Sequence, residues 1–310
     1  MNKNLLNNKA FVISAALLCC ALWGISTPLV KIGYAYTDAT HVPSLLLWAG
    51  VQFAVAGAVT LGIYSIYFKK LALPKKESFK GVAIISLLQT VLQYTLLYTG
   101  LLHTSSVKGS IIKSTDVFFV AIIASLLFKL EKLTAKKAIA CLIGFIGIIV
   151  MNLKGLSFEF NLIGDGLVTL AILSYSFSVV MVKLFAKNED PIILCGCQMT
   201  LGGIVMLIIG SVLGGSVNFL GMFPIFICLC FIYAVSYTLW TVLLKFNSPS
   251  GITIYSFTTP VFGVAFSAFL LSEDSGVEPA NLAAALVMVC FGIILWGYEK
   301  NANESKNRPD

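Results

Sequence analysis

The 310-residue chain has few charged side chains, since only 11% of its residues are Asp, Glu, Lys or Arg. A soluble domain carries about a quarter charged residues, so this shortage excludes an ordinary water-soluble protein. Apolar residues make up 58% of the chain, whose mean hydropathy is +0.93. They occur in runs of about 20 residues, the length with which a helix crosses a bilayer core. The sequence therefore predicts a polytopic membrane protein.

Residue types and motifs that serve catalysis are also scarce. The chain has two histidines, His41 and His103, and contains neither His-Glu-x-x-His nor Gly-x-Ser-x-Gly. It has no Gly-Lys-Ser/Thr phosphate loop, which excludes an ATP-driven pump in this chain. No basic stripe with interleaved aromatic residues lies outside the apolar runs, so we expect no nucleic-acid partner. We predict that the protein is not an enzyme and binds no cofactor.

The eight cysteines all lie within apolar runs. A free thiol in such a run behaves as a small hydrophobic side chain. Two pairs are spaced two residues apart, which on a helix turns the side chains to different faces, so they cannot easily chelate one ion. We therefore expect no metal site.

Ten apolar segments predict an all-α integral membrane fold with ten transmembrane helices, at residues 11–34, 43–68, 80–102, 107–128, 134–152, 163–185, 191–213, 222–245, 250–271 and 279–298. With a cytoplasmic N-terminus, 17 of the 21 basic residues lie on the inner side. The positive-inside rule therefore predicts that both termini are cytoplasmic (N-in/C-in). We expect a multi-pass protein of the cytoplasmic (inner) cell membrane, embedded in the lipid bilayer as a monomer or homodimer.

The two halves of the sequence, residues 1–155 and 156–310, resemble each other. The tripeptide Tyr-Thr-Leu that begins at Tyr94 recurs 143 residues later at Tyr237. Because each half contains five predicted helices, the second copy must cross the membrane in the opposite direction. A 5+5 inverted-topology repeat is typical of secondary transporters, which bind substrate near the bilayer midplane between the halves.

Several motifs occur in the order expected for a known family. They are Ala-Leu-Trp-Gly at 21–24 with Lys31, His-Thr-Ser-Ser-Val at 103–107, the leucine-rich stretch that ends with Glu131, Gly144 with Gly147, Thr-Thr-Pro-Val-Phe at 258–262, and the closing Glu273. With these motifs the chain resembles the drug/metabolite transporter superfamily, of the bacterial EamA type, over about residues 11–298. The resemblance implies ten helices, a central cavity and alternating access without ATP. The superfamily includes exporters of amino acids and other metabolites.

Lys113 and Asp116, in the fourth segment, are the charged residues that we predict to bind substrate. Their i, i+3 spacing gives them one helix face, and Asp116 approaches the bilayer centre. Ionisable groups there cost at least about 2.5–3.5 kcal/mol each, so they normally face a polar cavity or a partner. Lys113 would attract a carboxylate or phosphate, and Asp116 would meet an amine or carry a proton. The alternative is an internal ion pair without ligand contact.

Other substrate-binding residues are predicted from polar and aromatic side chains at helical spacing: Trp23, Thr27, Gln93, Tyr94, Tyr98, Tyr237 and Thr259. For the aromatic residues the alternative is core packing, and for the glutamine it is hydrogen bonding between helices. We also predict that Pro28 and Pro260 bend their helices and contribute to gating, since proline removes a helical hydrogen bond.

The leading functional interpretation is a secondary active transporter that moves a small polar metabolite. We predict an exporter of amino acids or related compounds, with a proton or a counter-substrate as its coupling partner. Residues 113–119 also resemble the Lys-Ala-x-Glu-Pro-Phe-Phe stretch of the triose-phosphate and nucleotide-sugar branch, which implies a second interpretation, an antiporter of phosphorylated or nucleotide-like anions. A third is a channel-like or non-transporting membrane subunit.

Overall fold

The computed structural model describes residues 8–156, 159–271 and 277–306, whose regular elements are helices. In chain order these are α1 (Lys9–Gly33), α2 (Val42–Phe68), α3 (Lys76–Leu101), α4 (Ser106–Leu127), α5 (Ala135–Met151), α6 (Gly164–Phe185), α7 (Pro191–Val212), α8 (Phe219–Phe246), α9 (Pro249–Leu271) and α10 (Pro279–Lys306). Within the described residues, nine of these segments, all except α5, are long and apolar enough to cross a membrane. The predicted all-α, multi-pass class is confirmed.

The ends of the first nine expected segments lie within four residues of the observed helix ends. Helix α5 has 17 residues and is about 26 Å long, slightly less than the bilayer core. Helix α10 continues to Lys306, beyond its expected end at residue 298. The closing Glu273 of the expected ninth segment lies outside the described residues.

Helix α4 is discontinuous, although a continuous helix over 107–128 was expected. It comprises Ser106–Lys113, a turn at Ser114 and Thr115, then Asp116–Ile122 and a π-helical stretch at Ile123–Leu127. The hydroxyls of Ser114 and Thr115 donate to backbone carbonyls of the preceding turn, at 3.0 and 2.6 Å. The same two carbonyls also accept the backbone N–H groups of Ser114 and Thr115, so the polar groups of the turn bond to each other, as backbone at membrane depth requires.

Helix α9 is discontinuous in the same way. Its first part, Pro249–Thr253, is followed by a narrow 3-10 turn at Ile254–Phe257 and by the second part, Thr258–Leu271. Helix α3 contains a wide π-helical stretch at Ser86–Leu92. Such interruptions in membrane helices occur where backbone lines a cavity or packs inside the protein.

Small residues allow α2 to lie against α7, and α5 against α10, with almost no side chain between the backbones. A Cβ atom added at Gly203 of α7 would lie 2.3 Å from the Ala54 backbone nitrogen and 2.7 Å from the Gly50 carbonyl oxygen of α2. One added at Gly292 of α10 would lie 2.7 Å from the Ala140 carbonyl oxygen of α5. Close packing of this kind is one of the sources of attraction between helices in lipid, together with hydrogen bonds between helices.

The links between helices meet at the two ends of the bundle. We call the end at which α1 begins the near end and the opposite one the far end. At the far end Thr37 forms an isolated β-bridge with Val217, so the α1–α2 and α7–α8 links touch. At the near end the Glu189 carboxylate accepts the Lys75 backbone N–H at 2.8 Å, which joins the α6–α7 link to the chain before α3.

A cluster of buried side chains fills the near half of the bundle between seven of its helices, and a second one packs α2 against α7 and α8, mainly in the far half. One cluster of fully or largely buried side chains fills the near half, with members on α1, α3, α4, α6, α7, α8 and α9: Val12, Ala15, Ala16, Cys19, Cys20, Val82, Ile85, Val120, Tyr175, Val179, Val182, Ala186, Leu194, Trp240, Leu243, Leu244 and Ile252. In the far half, Thr27 and Lys31 of α1 and Lys113 of α4 are exposed. The packing therefore seals the near end.

Gly203→Ala is expected to destabilise the protein by about 1–3 kcal/mol, because the added methyl group meets backbone rather than a movable side chain. Gly62→Ala, in α2, is the matched control, since nothing lies within 4 Å of a Cβ there. Thermal unfolding in detergent would measure both. Equal melting temperatures for the two variants would contradict the close α2–α7 packing.

Candidate functional site

Lys113 lies where the first part of α4 ends. Its side chain is exposed even though protein atoms surround it, so it projects into a solvent-accessible space within the bundle. Among the described residues no carboxylate oxygen lies within 4.0 Å of its ammonium group. An ammonium group at the last residue of a helix is favoured by the helix dipole, which helps to hold this charge at depth.

Asp116 is the first residue of the second part of α4, where the helix dipole favours a carboxylate. The residue is only 6% exposed. Its two carboxylate oxygens accept the Ser256 hydroxyl at 3.1 and 2.9 Å, and one also accepts the Val117 backbone N–H at 2.8 Å. Asp116 therefore bonds directly to Ser256, while the Lys113 ammonium lies beyond 4.0 Å but within electrostatic range of it. Ligand binding by this pair and its alternative, an internal ion pair without ligand contact, both stay predictions.

The bond between Asp116 and Ser256 joins the breaks of α4 and α9. Ser256 belongs to the 3-10 turn of α9, as Lys113 and Asp116 border the turn of α4. Ser256 stands 143 residues after Lys113, the offset that also separates Tyr94 from Tyr237. The sequence offset pairs Ser256 with Lys113, but it does not reveal that the serine binds Asp116.

Small polar groups surround the Asp116 carboxylate. The Cys20 thiol of α1 donates to the Tyr255 carbonyl oxygen at 3.2 Å and lies beside the hydroxyl of Thr259. Tyr175 of α6 lies within electrostatic range of both Asp116 and Cys20. Thr259 was a predicted site residue, whereas Cys20 and Tyr175 were not, since a thiol and a tyrosine in apolar runs read as core residues.

Aromatic side chains form the wall next to this region. The hydroxyls of Tyr94 and Tyr237 are 2.9 Å apart and share a hydrogen bond. The Trp23 ring lies edge-on to Tyr237, with centroids 5.4 Å apart, and the Tyr98 and Tyr94 centroids are 5.7 Å apart. The structure thus brings four of the predicted residues together. Trp240 joins the same wall, with its centroid 4.9 Å from Trp23.

Three buried polar atoms of the predicted residues have no hydrogen-bond partner in the part of the chain that the structure describes. They are the indole Nε1 of Trp23, the amide Oε1 of Gln93 and the hydroxyl Oγ1 of Thr259. A buried donor or acceptor without a partner costs about 1–3 kcal/mol, so such atoms suit a site in which a polar ligand or water completes the bonds.

The other predicted residues are more scattered. Thr27 is exposed on α1 and faces α9, where its hydroxyl lies 3.7 Å from the Cβ position of Gly263. Pro28 is buried inside α1, which remains an unbroken helix. Pro260 is the third residue of the second part of α9, just after the 3-10 turn, where its missing N–H has no helical partner to lose.

Sequence reasoning missed Phe53 of α2, a fully buried residue of the aromatic wall. Its ring centroid lies 4.8 Å from Tyr94, 5.2 Å from Tyr233 and 5.8 Å from Tyr237. A single phenylalanine in an apolar helix gives no sequence signal. The nearest sequence signal is the neighbouring Gln52, a polar residue in an apolar segment. It corresponds to Gln198 in the second half of the repeat.

Metal-ligating side chains do not cluster here: across residues 8–156, 159–271 and 277–306, no group of three His, Cys, Asp or Glu residues could hold an ion. Two surface depressions, of about 660 and 410 Å³, lie on the links of the far end. Lys108 lines the larger one and is held there by Asp165 at 3.1 Å. Neither depression includes Lys113 or Asp116.

The arrangement as a whole combines an accessible cation, a carboxylate, aromatic surfaces and unsatisfied polar atoms about halfway along the bundle. Lys113 can attract an anionic group, and Asp116 can exchange its Ser256 bond for an amine or hydroxyl donor. Aromatic rings can cover the rest of a ligand or its cationic group. Together these groups could bind a ligand that has both charged and apolar parts.

Comparison with known proteins places the chain among transporters. It is 25% identical over 293 residues to an uncharacterized transporter of Bacillus subtilis, YvbV, covering 92% of this chain and 90% of that protein. It is 27% identical over 282 residues to a chloroplastic WAT1-related protein of Arabidopsis thaliana, covering 86% of this chain and 66% of that one. An uncharacterized transporter of Synechocystis is 25% identical over 292 residues, with 86% and 85% coverage.

The fold is shared with a protein of known crystal structure. The TM-score is 0.76 over 96% of this chain and 100% of that one, at 13% sequence identity. The sequence profile of the EamA-like transporter family matches the chain twice, at residues 10–153 and 162–298. These two matches cover most of the chain, and the predicted resemblance is thereby confirmed. The chain belongs to the EamA-like transporter family.

Proposed function

We propose that this protein is a secondary active transporter that moves a small polar metabolite by alternating access. Its substrate is an amino acid or a related compound, which it exports across the cytoplasmic membrane. The observation that carries this proposal is the pair of charged residues at the break of α4. Lys113 is accessible inside the bundle, Asp116 is bound by a serine of α9, and the near end beneath them is sealed.

A zwitterion fits the two charges of the site. Its carboxylate would pair with Lys113, and its ammonium group would compete with Ser256 for Asp116. The aromatic wall of Trp23, Tyr98 and their neighbours would enclose the remaining part of the ligand. Discontinuous helices that present charges and helix ends to a substrate are a recurrent device of secondary transporters.

Lys113→Gln is expected to weaken ligand binding by about 10- to 100-fold, the effect of losing one charge-assisted hydrogen bond. Counterflow by purified protein in liposomes, screened with labelled amino acids, amines and sugar phosphates, would measure it. Lys136→Gln, which changes an exposed lysine of α5, is the matched control and should transport normally. Normal counterflow by Lys113→Gln would contradict the proposed site.

A second candidate substrate class is a phosphorylated or nucleotide-like anion, exchanged by antiport. The observation in its favour is that Lys113 has no carboxylate within 4.0 Å in the described chain, so its charge stays available to a phosphate. Saturable exchange of sugar phosphates but not of amino acids in the same screen would select this class. Conductance without saturation would instead indicate a channel, and no flux a non-transporting subunit.

We further propose ten membrane spans in a 5+5 inverted repeat, with residues 1–155 and 156–310 as its units and both termini in the cytoplasm. The two separate family matches and the equivalent breaks of α4 and α9 support the duplication. The two ends of α5 support its role as a span. Glu131 before α5 contacts Ser250 at the near end, and Gly155 after it approaches Val107 at the far end.

Reporter domains fused to each terminus test this topology. At both termini we expect activity from a reporter that works only in the cytoplasm and none from a reporter that works only outside it. An even number of spans returns the chain to the side on which it started. Reporter activities that place the two termini in opposite compartments would contradict the ten-span arrangement.

Proton coupling through Asp116 is a separate proposal. The carboxylate lies at the site, and its proton could exchange with the accessible space on ligand binding. Asp116→Asn is expected to abolish the dependence of transport on a pH gradient while leaving exchange measurable. Asp38→Asn, at an exposed residue of the α1–α2 link, is the control. Normal transport with an intact gradient dependence in Asp116→Asn would overturn the coupling role.

A further inference from the structure

The near end carries a second bond between α4 and α9, formed by Glu131 just beyond the end of α4. Its carboxylate accepts the Ser250 hydroxyl at 2.5 Å and the Ser250 backbone N–H at 3.1 Å. The side chain of Glu131 is only 7% exposed, and the Lys137 ammonium lies 3.6 Å from it. Charge-assisted bonds of this length and burial are among the stronger contacts in a protein.

These contacts fix one short stretch of α9 at both of its ends. Ser250 is bound by Glu131, and Ser256, six residues later, is bound by Asp116. Both carboxylates belong to the first half of the chain, and both hydroxyls belong to the second. Residues 250–256 are therefore clamped between the substrate site and the near surface.

The clamped stretch lies across the path from the site to the near end. Ile252, at its centre, is 1% exposed and belongs to the cluster that fills the near half. The carbonyl of Tyr255 in the same stretch accepts the Cys20 thiol of α1. Displacement of this stretch would break up the seal and expose Cys20 from the near side.

We propose that Glu131 and Ser250 form a gate bond that keeps the near end closed, and that the Asp116–Ser256 bond couples this gate to the substrate site. The proposal rests on the proposed transport function. A ligand cation that binds Asp116 replaces the Ser256 hydroxyl, which frees one end of residues 250–256. Of the two carboxylates that hold the stretch, Glu131 alone then remains, so release of the stretch follows more easily and the near end opens. A ligand shifts such an equilibrium by its different contacts in the two states.

Labelling of Cys20 reports the state of this gate. The chain is reduced to Cys20 as its only thiol by Cys→Ala changes at the other positions, and is reconstituted in vesicles. A charged, membrane-impermeant methanethiosulfonate reagent is then added to the near face. Glu131→Gln and Ser250→Ala are each expected to raise the labelling rate about tenfold, the factor for one lost hydrogen bond to a charged group. Glu77→Gln, at an exposed carboxylate of the same end, should leave the rate unchanged.

Counterflow measured in the same vesicles distinguishes a failure of the proposed gate bond from a failure of the proposed transport function. Labelling rates of Glu131→Gln and Ser250→Ala within twofold of the parent, in a parent that transports, would overturn the gate bond. Raised labelling in both variants supports it, whether or not the tested compounds are transported. Absence of counterflow in the parent would count against the proposed function alone. Ser250→Ala removes a single hydroxyl, so its melting temperature controls for general unfolding.

Discussion

The structure depends on the cost of keeping two charges near the middle of an apolar layer. An ammonium and a carboxylate at that depth are stable only where water, a partner or a favourable dipole compensates for lost hydration. The break of α4 supplies such compensation. It makes Lys113 the end of one short helix and Asp116 the start of another, so that each charge lies at the helix terminus whose dipole favours it.

The same break also links the two halves of the chain. A continuous α4 would have its backbone groups fully bonded within itself, whereas the turn at Ser114 and Thr115 lets Asp116 reach Ser256 across the interface. The glycine contacts hold α2 on α7 and α5 on α10, whereas most residues of the site come from α1, α3, α4, α6, α8 and α9, with Phe53 of α2 in the aromatic wall. Rigid peripheral pairs and interrupted central helices together suit a protein that changes shape at its centre.

Much of this arrangement could be predicted from the sequence. Apolar runs locate the helices to within a few residues, because exclusion of charge from the bilayer is a strong one-dimensional signal. The rarity of ionisable residues in those runs identifies Lys113 and Asp116, and the 143-residue offset pairs Tyr94 with Tyr237, which share a hydrogen bond. These features each depend on local composition or on the repeat.

Other features depend on contacts between distant residues and left no such signal. Ser114 and Thr115 are compatible with a continuous helix, so the break of α4 was not expected. The bond from Asp116 to Ser256 and that from Glu131 to Ser250 each require the packing of α9 against α4. Which end of the bundle is closed depends on how all the helices pack. Because the two halves of the sequence are related, neither half indicates which end of the bundle that is.

The proposed site requires that the break of α4 opens onto a water-filled space reached from the far face. Cysteine accessibility at position 113 tests it most directly, with Lys113→Cys in a variant whose exposed Cys228 and Cys290 are serine. We expect rapid reaction with a water-soluble, membrane-impermeant thiol reagent added at the far face and slow reaction from the near face. Reaction only with a lipid-soluble reagent, or only from the near face, would contradict it.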